Sequence, residues 1–201
     1  MITGPKYKIA RRLGPNVFDK TQTQKFAMRS SARDPKKIKR SGSDFGMQLI
    51  EKQRARITYG LGETQFKNLV EKVQSAKGTD INDALIQALE TRLDNTIYRL
   101  GFASTRQAAR QMVNHGHIDV NGKRNTIPSL HVSIGDVITI RENSKKKALF
   151  KDLDAKLKEQ KVPSWLAFNA EKREAKVQGL PKIPANEISF DVSQIFQYYS
   201  R

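Results

Sequence analysis

The sequence predicts an α+β fold: a helical domain, an inserted small α/β domain of two helices packed on a short antiparallel sheet, and a basic N-terminal extension. Three observations predict it. Apolar residues recur at helical spacing between residues 45 and 100. From residue 118 they alternate as strands around Asn121-Gly122, a strong hairpin signal because both residues tolerate positive φ. Before residue 45 no periodicity is sustained, and Gly, Pro, Ser, Lys and Arg dominate.

Residues 1–44 form the extension. A segment so polar cannot bury enough apolar surface to offset chain entropy, so it is expected to order on a partner. Residues 45–91 are expected to form the helical domain. Its first helix sets Phe45, Gln48, Leu49 and Lys52 on one face, and its second does the same with Phe66, Leu69, Val70 and Val73. Gly78 is a stop, Thr79 or Asp80 a cap, and a third helix carries Ile81, Leu85 and Leu89.

Residues 92–142 change character. One helix carries Leu93, Ile97 and Leu100 and ends at Gly101; Ser104 opens another, with Gln107 completing a capping box. Ala108, Ala109, Met112 and Val113 give that helix a small apolar face, and Gly116 stops it. Ile118 and Val120 begin the strands, and Val132, Ile134, Val137, Ile138 and Ile140 supply the last ones around a Gly135-Asp136 turn. Residues 143–180 extend this domain with a helix over 144–160, marked by Leu149, Leu153 and Leu157, and a strand pair at 165–168 and 175–179. Residues 181–201, Pro-rich and then aromatic, are expected to complete the helical domain.

Charge points to the partner. The chain holds 37 Lys and Arg against 20 Asp and Glu, net +17, and a balance this basic is the footprint of a polyanion binder. The excess is densest at the N-terminus, as in a basic arm. Cysteine is absent, which excludes disulfides, thiolate metal ligands and a cysteine nucleophile. No acidic residue completes a metal set with His115, His117 and His131, so neither metal nor cofactor is expected. No apolar run reaches the length of a bilayer span, and the basic N-terminus lacks a signal-peptide core, so a cytoplasmic location without a membrane partner is expected.

The candidate contacts follow the cations. The extension offers Lys6, Lys8, Arg11, Arg12, Lys36, Lys37, Lys39 and Arg40, and the first long helix Lys52, Arg54 and Arg56. Arg99, Thr105, Arg106 and Arg110 on the two helices after residue 92, with Asn121, Lys123 and Arg124 at the hairpin, form a compact basic ridge. Arg106 and Arg110 are four apart, on one helix face, and are expected to be exposed. Guanidinium groups hold phosphate through paired hydrogen bonds, which fix position on a backbone without reading sequence. Folded RNA is recognised largely in that way. Lys145, Lys146 and Lys147 oppose the dipole of the helix they open, reading either as a solvated run or as a seat for an external anion.

The string Arg92-Leu93-Asp94-Asn95-Thr96-Ile97-Tyr98-Arg99-Leu100-Gly101-Phe102-Ala103 resembles the opening of the S-four RNA-binding domain. Thr105 through Ile118, Val120-Asn121-Gly122, Ile127-Pro128-Ser129 and Gly135-Asp136-Val137-Ile138 continue the resemblance. The flanks are similar to the S-four family of small-subunit ribosomal proteins: Gly4-Pro5-Lys6, Ile9-Ala10-Arg11-Arg12-Leu13-Gly14, Glu51-Lys52-Gln53-Arg54-Ala55-Arg56-Ile57-Thr58-Tyr59-Gly60, Pro163-Ser164-Trp165-Leu166 and Tyr198-Tyr199-Ser200-Arg201. Tyr59 and Arg201 join the candidate RNA contacts on that resemblance. The chain departs from the family in lacking a proline-glycine loop between Phe26 and Gly42, in lacking the cysteines with which some relatives bind zinc, and in carrying Phe196-Gln197 near its end.

The resemblance implies a primary binder of small-subunit ribosomal RNA that seats on a multi-helix junction of the 5′ domain and nucleates its assembly. It further implies a place along the messenger RNA entry path beside ribosomal proteins S-three and S-five and, in some members, repression of their own operon. A rival reading is an RNA-modifying enzyme, since in pseudouridine synthases a nucleophilic aspartate follows an Arg-Leu string as Asp94 does here. Yet Asn95-Thr96-Ile97 follows where those enzymes have Thr-Ser-Gly, and Asp94 fits the first turn of a helix, where an acid favours the dipole. No phosphate-cradling glycine loop or nucleophile–base pair is visible, so no enzymatic activity is expected. Transient RNA-binding rescue factors share the domain but are short.

Overall fold

The computed structural model describes residues 4–31, 43–76, 80–147, 150, 153, 157, 162–169, 172–184 and 187–200. The expected stop at Gly78, the Thr79 cap, Leu149 and most of the helix expected over 144–160 lie outside them, as do Lys36, Lys37, Lys39, Arg40 and Arg201. The chain divides into two compact units, residues 1–85 with 183–201 and residues 86–182.

In the first unit, helices stand where none were expected. α1 (Lys6–Leu13) and α2 (Gln24–Ser31) flank two 3₁₀ turns at Pro15–Val17 and Asp19–Thr21. The cause is a small apolar cluster, in which Ala10, Leu13, Val17 and Phe18 bury against Ile57. A stripe confined to two helical turns is too short to register as periodicity, but it suffices once a longer helix supplies the other wall. That wall is α3 (Asp44–Thr58), capped by Ser43, whose Oγ accepts from the Gly46 N–H at 3.2 Å.

The buried face of α3 is polar in part, with Gln48 and Lys52 beside Ala55 and Ile57. α9 (Val192–Tyr199) packs over that face. Gln48 Nε2 donates to Gln197 Oε1 at 3.2 Å, and the Lys52 ammonium lies 4.4 Å from the centre of the Tyr198 ring. α4 (Glu63–Ser75) buries Phe66, Val70 and Val73, as its spacing predicts. α5 (Ile81–Glu90) spans the boundary between the units.

The second unit holds α6 (Leu93–Arg99), α7 (Arg106–Asn114), a short α8 (Glu142–Lys145) and a five-stranded antiparallel sheet. Its strands are β1 (Ile118–Val120), β2 (Lys123–Asn125), β3 (Val137–Ile140), β4 (Leu166–Asn169) and β5 (Glu174–Val177), in the order β2-β1-β3-β5-β4. The strand pair read after residue 164 joins the hairpin sheet through β3, with Ile138 opposite Ala175. Ile97, Leu100, Ala109, Met112 and Val113 from the helices pack on Ile118, Ile138, Ile140 and Val177, with Leu153 and Leu157 completing the core.

Two local expectations shift, and a third holds with an addition. Val132 and Ile134 are not in a strand; only Val137–Ile140 is, while His131 makes an isolated bridge to Arg92. The hairpin turn at Asn121 (φ 52°) and Gly122 (φ 74°) does form, and the Asn121 side chain reaches further than a turn requires. Its Oδ1 accepts from Val137 N at 2.9 Å and its Nδ2 donates to Asp136 at 2.8 Å, fastening the tip to the start of β3. Finally, α7 is capped not by Ser104 but by Thr105, whose Oγ1 accepts from Ala108 N at 3.1 Å. That register turns Ala109, Met112 and Val113 inward. Thr105→Ala is expected to cost about 1 kcal/mol of stability and Ser104→Ala close to nothing, as read by urea unfolding.

Candidate nucleic-acid interface

A fully buried carboxylate organises the ridge read from the sequence. Glu90 is 0 % exposed, and Arg99 meets it with two parallel bonds of 2.8 Å, Nε to Oε2 and Nη2 to Oε1. Asn95 Nδ2 donates to the same Oε2 at 2.7 Å. A carboxylate only accepts, so the amide nitrogen faces Glu90 and the amide oxygen faces outward. That oxygen accepts from Arg106 Nε at 2.8 Å, and the Arg106 guanidinium lies 4.4 Å from the Tyr98 ring centre. Arg106 is thus held flat by a chain of contacts that begins inside the protein.

Asp94 holds a second set. Arg92 bonds both its oxygens at 3.2 and 3.0 Å, and Arg110 Nη1 stands 3.9 Å away. Asp94 Oδ1 also accepts from the Asn95 N–H, the bond of an acid at a helix start. Arg106 and Arg110 are therefore half-buried rather than exposed, because the Asn95 amide and the Tyr98 ring hold the first and the Asp94 carboxylate draws in the second. Asp94 is 4 % exposed and paired with Arg92 at the start of α6, the placement its structural reading expects.

The other candidates divide by exposure. Lys123 and Arg124 stand exposed on β2, and Lys146 and Lys147 follow α8 in the same state, while Lys145 pairs with Glu142. Asn121 and Thr105 spend their side chains on the hairpin and the helix cap.

In the first unit, Lys6, Lys8, Arg11 and Arg12 are exposed along α1. Lys52 and Tyr59 are not, being 3 % and 7 % exposed. Lys52 bonds Glu63, Arg56 bonds Gln53 and Glu63, and Arg54 spans Glu51, Leu13 O and Ser189 O. Burial favours the neutral Glu63 acid, but the bond to Lys52 and the nearby Arg56 hold its carboxyl below the ordinary value. Burial, the Glu63 charge and the bond to it push the Tyr199 hydroxyl well above its usual range. This cluster fastens the end of the chain to α3 and α4.

Sequence reading missed Glu90, Asn95 and His117. His117 is 8 % exposed, its Nδ1 sits 3.0 Å from Ser144 Oγ, and the Phe150 ring meets it edge-on at 6.0 Å. Burial lowers its pKa below 6.5, and Lys147, His115 and Arg124 lower it further. A histidine depressed in the fold binds its proton more readily when unfolded. Its contribution to stability is complete above pH 6.5 and falls as the pH drops below that value. Urea unfolding is expected to show lower stability at pH 5.5 than at pH 7.5, and His117→Gln should shrink that difference. Among the described residues no group of three or more metal-ligating side chains gathers, and no helix is long and apolar enough to cross a membrane.

Two family models match the chain: "Ribosomal protein S4/S9 N-terminal domain" over residues 1–90 and "S4 domain" over residues 91–138. The chain is 41% identical to small ribosomal subunit protein uS4 of Roseiflexus sp. (strain RS-1), with 98% of each chain covered. It is 40% identical to uS4 of Listeria monocytogenes, over 99% of this chain and 98% of that one. Against uS4 of Christiangramia forsetii it is again 40% identical, over 92% of both.

Proposed function

We propose, from the premise that the chain belongs to the uS4 family of small-subunit ribosomal proteins, that it is a primary binder of small-subunit ribosomal RNA and organises a helical junction of the 5′ domain. Its family makes it a structural, non-enzymatic component of the ribosome. The finer reading is carried by one observation. The S4 domain sets cations on a rigid frame, with Arg106 fixed through Asn95 and Tyr98 and with Lys123 and Arg124 exposed on a hairpin fastened to β3. Cations fixed before binding lose little freedom on meeting phosphate, so they favour one RNA geometry over others. The exposed basic face of α1 offers a further contact to the backbone.

In the assembled subunit this reading puts the protein beside ribosomal proteins S-three and S-five along the messenger RNA entry path, and repression of its own messenger would reuse the same surface. The test is binding of the purified chain to 5′-domain ribosomal RNA and to a folded RNA of equal length and unrelated sequence, followed by footprinting. Tight binding and junction protection are expected for the first RNA alone. Equal affinity for both would leave a non-specific polyanion binder and sink the junction reading.

A further inference from the structure

The turn after α7 brings two histidines beside Arg124 of the ridge. The His115 and His117 rings stand 5.9 Å apart. Arg124, on β2, lays its guanidinium over the glycine between them: a Cβ on Gly116 would stand 2.2 Å from Arg124 Nε. A side chain there would push the guanidinium aside, and the φ of +68° is one that glycine adopts without strain. Behind the turn, Ser144 on α8 fixes the His117 ring, and Lys147 follows three residues later.

The titratable groups that act on His117 from α7, β2 and the segment after α8 are His115, Arg124 and Lys147, with no carboxylate among them. Asp119, opposite Arg124 in the strand register, leaves its buried Oδ1 without a hydrogen-bond partner and so does not hold the guanidinium through that atom. Like charges brought together repel, and an anion between them removes that cost. The last turn of α7 is closed by the N–H groups of residues 115–117, which bond the carbonyls of Gln111, Val113 and Met112.

We propose that His115, His117, Arg124 and Lys147 form a phosphate-binding site on this turn, filled in the ribonucleoprotein by one phosphate of the RNA backbone. The choice of RNA as the source rests on the reading of the preceding subsection; the site itself rests on the four side chains. Arg124 offers a two-pronged donor edge and Lys147 a point charge, while His115 stands exposed beside them. His117, held by Ser144, senses the occupant: an anion offsets the cations that disfavour its protonated form, so phosphate binding and proton uptake are linked.

Histidine side-chain NMR of the full chain tests the site. Sodium phosphate is titrated against sodium chloride at equal ionic strength, with the parent protein and Arg124→Ala, an exposed position whose fold is checked in the amide spectrum. Phosphate is expected to shift the His115 and His117 resonances and to raise the titration midpoint of His117, chloride to do neither, and Arg124→Ala to abolish the effect. In a parallel arm, Arg124→Ala should bind 5′-domain RNA roughly tenfold more weakly, with a salt slope smaller by about one. Identical effects of phosphate and chloride overturn the proposal, whether or not Arg124→Ala weakens RNA binding. If phosphate acts as expected while the parent binds no ribosomal RNA, the site stands for free phosphate and the RNA reading fails instead.

Discussion

The affinity of this protein for its ribosomal RNA is expected to fall by about 10³–10⁵-fold between 50 and 200 mM salt, as for a protein neutralising roughly 6–10 phosphates. The net charge of +17 alone does not set that number, because many of the cations are spent inside the fold. Lys52 and Arg54 are tied to acids and carbonyls, and Arg92 and Arg99 are paired with carboxylates that are 4 % and 0 % exposed. Among the described candidates, what remains for RNA is the exposed set on α1, β2 and the segment after α8, with the half-buried Arg106 and Arg110. Replacing both of these by Ala should lower affinity and shorten the slope by up to about two, while the protein stays folded. Filter binding across a salt series measures both. A nearly flat dependence would show that phosphate contacts do not carry the interaction.

Glu90→Ala is expected to lower the unfolding free energy of the second unit by about 3–5 kcal/mol, the cost of breaking a buried ion pair from one side. Arg99 would keep its charge in a largely enclosed site with its bidentate partner gone, and the Asn95 amide would lose the acceptor that orients it. The damage should reach the surface, because Arg106 is positioned by that same amide. RNA affinity should then fall even where the variant remains folded. Urea unfolding gives the stability, and a loss under about 1 kcal/mol would mean that the pair contributes little beyond what water supplies.

Much of this was legible from residue order. The helices with Phe66, Val70 and Val73 or with Ile97 and Leu100 could be read because each carries its apolar stripe within itself. The Asn121-Gly122 turn could be read because positive φ is a local demand. Elements whose partners lie far along the chain were harder. α1 acquires its core only against Ile57, and Lys52 is buried because Tyr198 and Tyr199 cover it. Arg106 and Arg110 looked like an open face, since nothing in their spacing reveals Asn95 and Asp94 beneath. The family resemblance supplied what the partner is; charge alone said only that it is anionic.

The order in which the chain is made bears on the division into two units. The second unit, residues 86–182, is one continuous stretch of chain. The first is not: Gln48 and Lys52 on α3 wait for α9, which follows the second unit along the chain. The interrupted unit is therefore expected to close its polar seam only once α9 has joined α3, whereas the second unit depends on no segment beyond its own bounds.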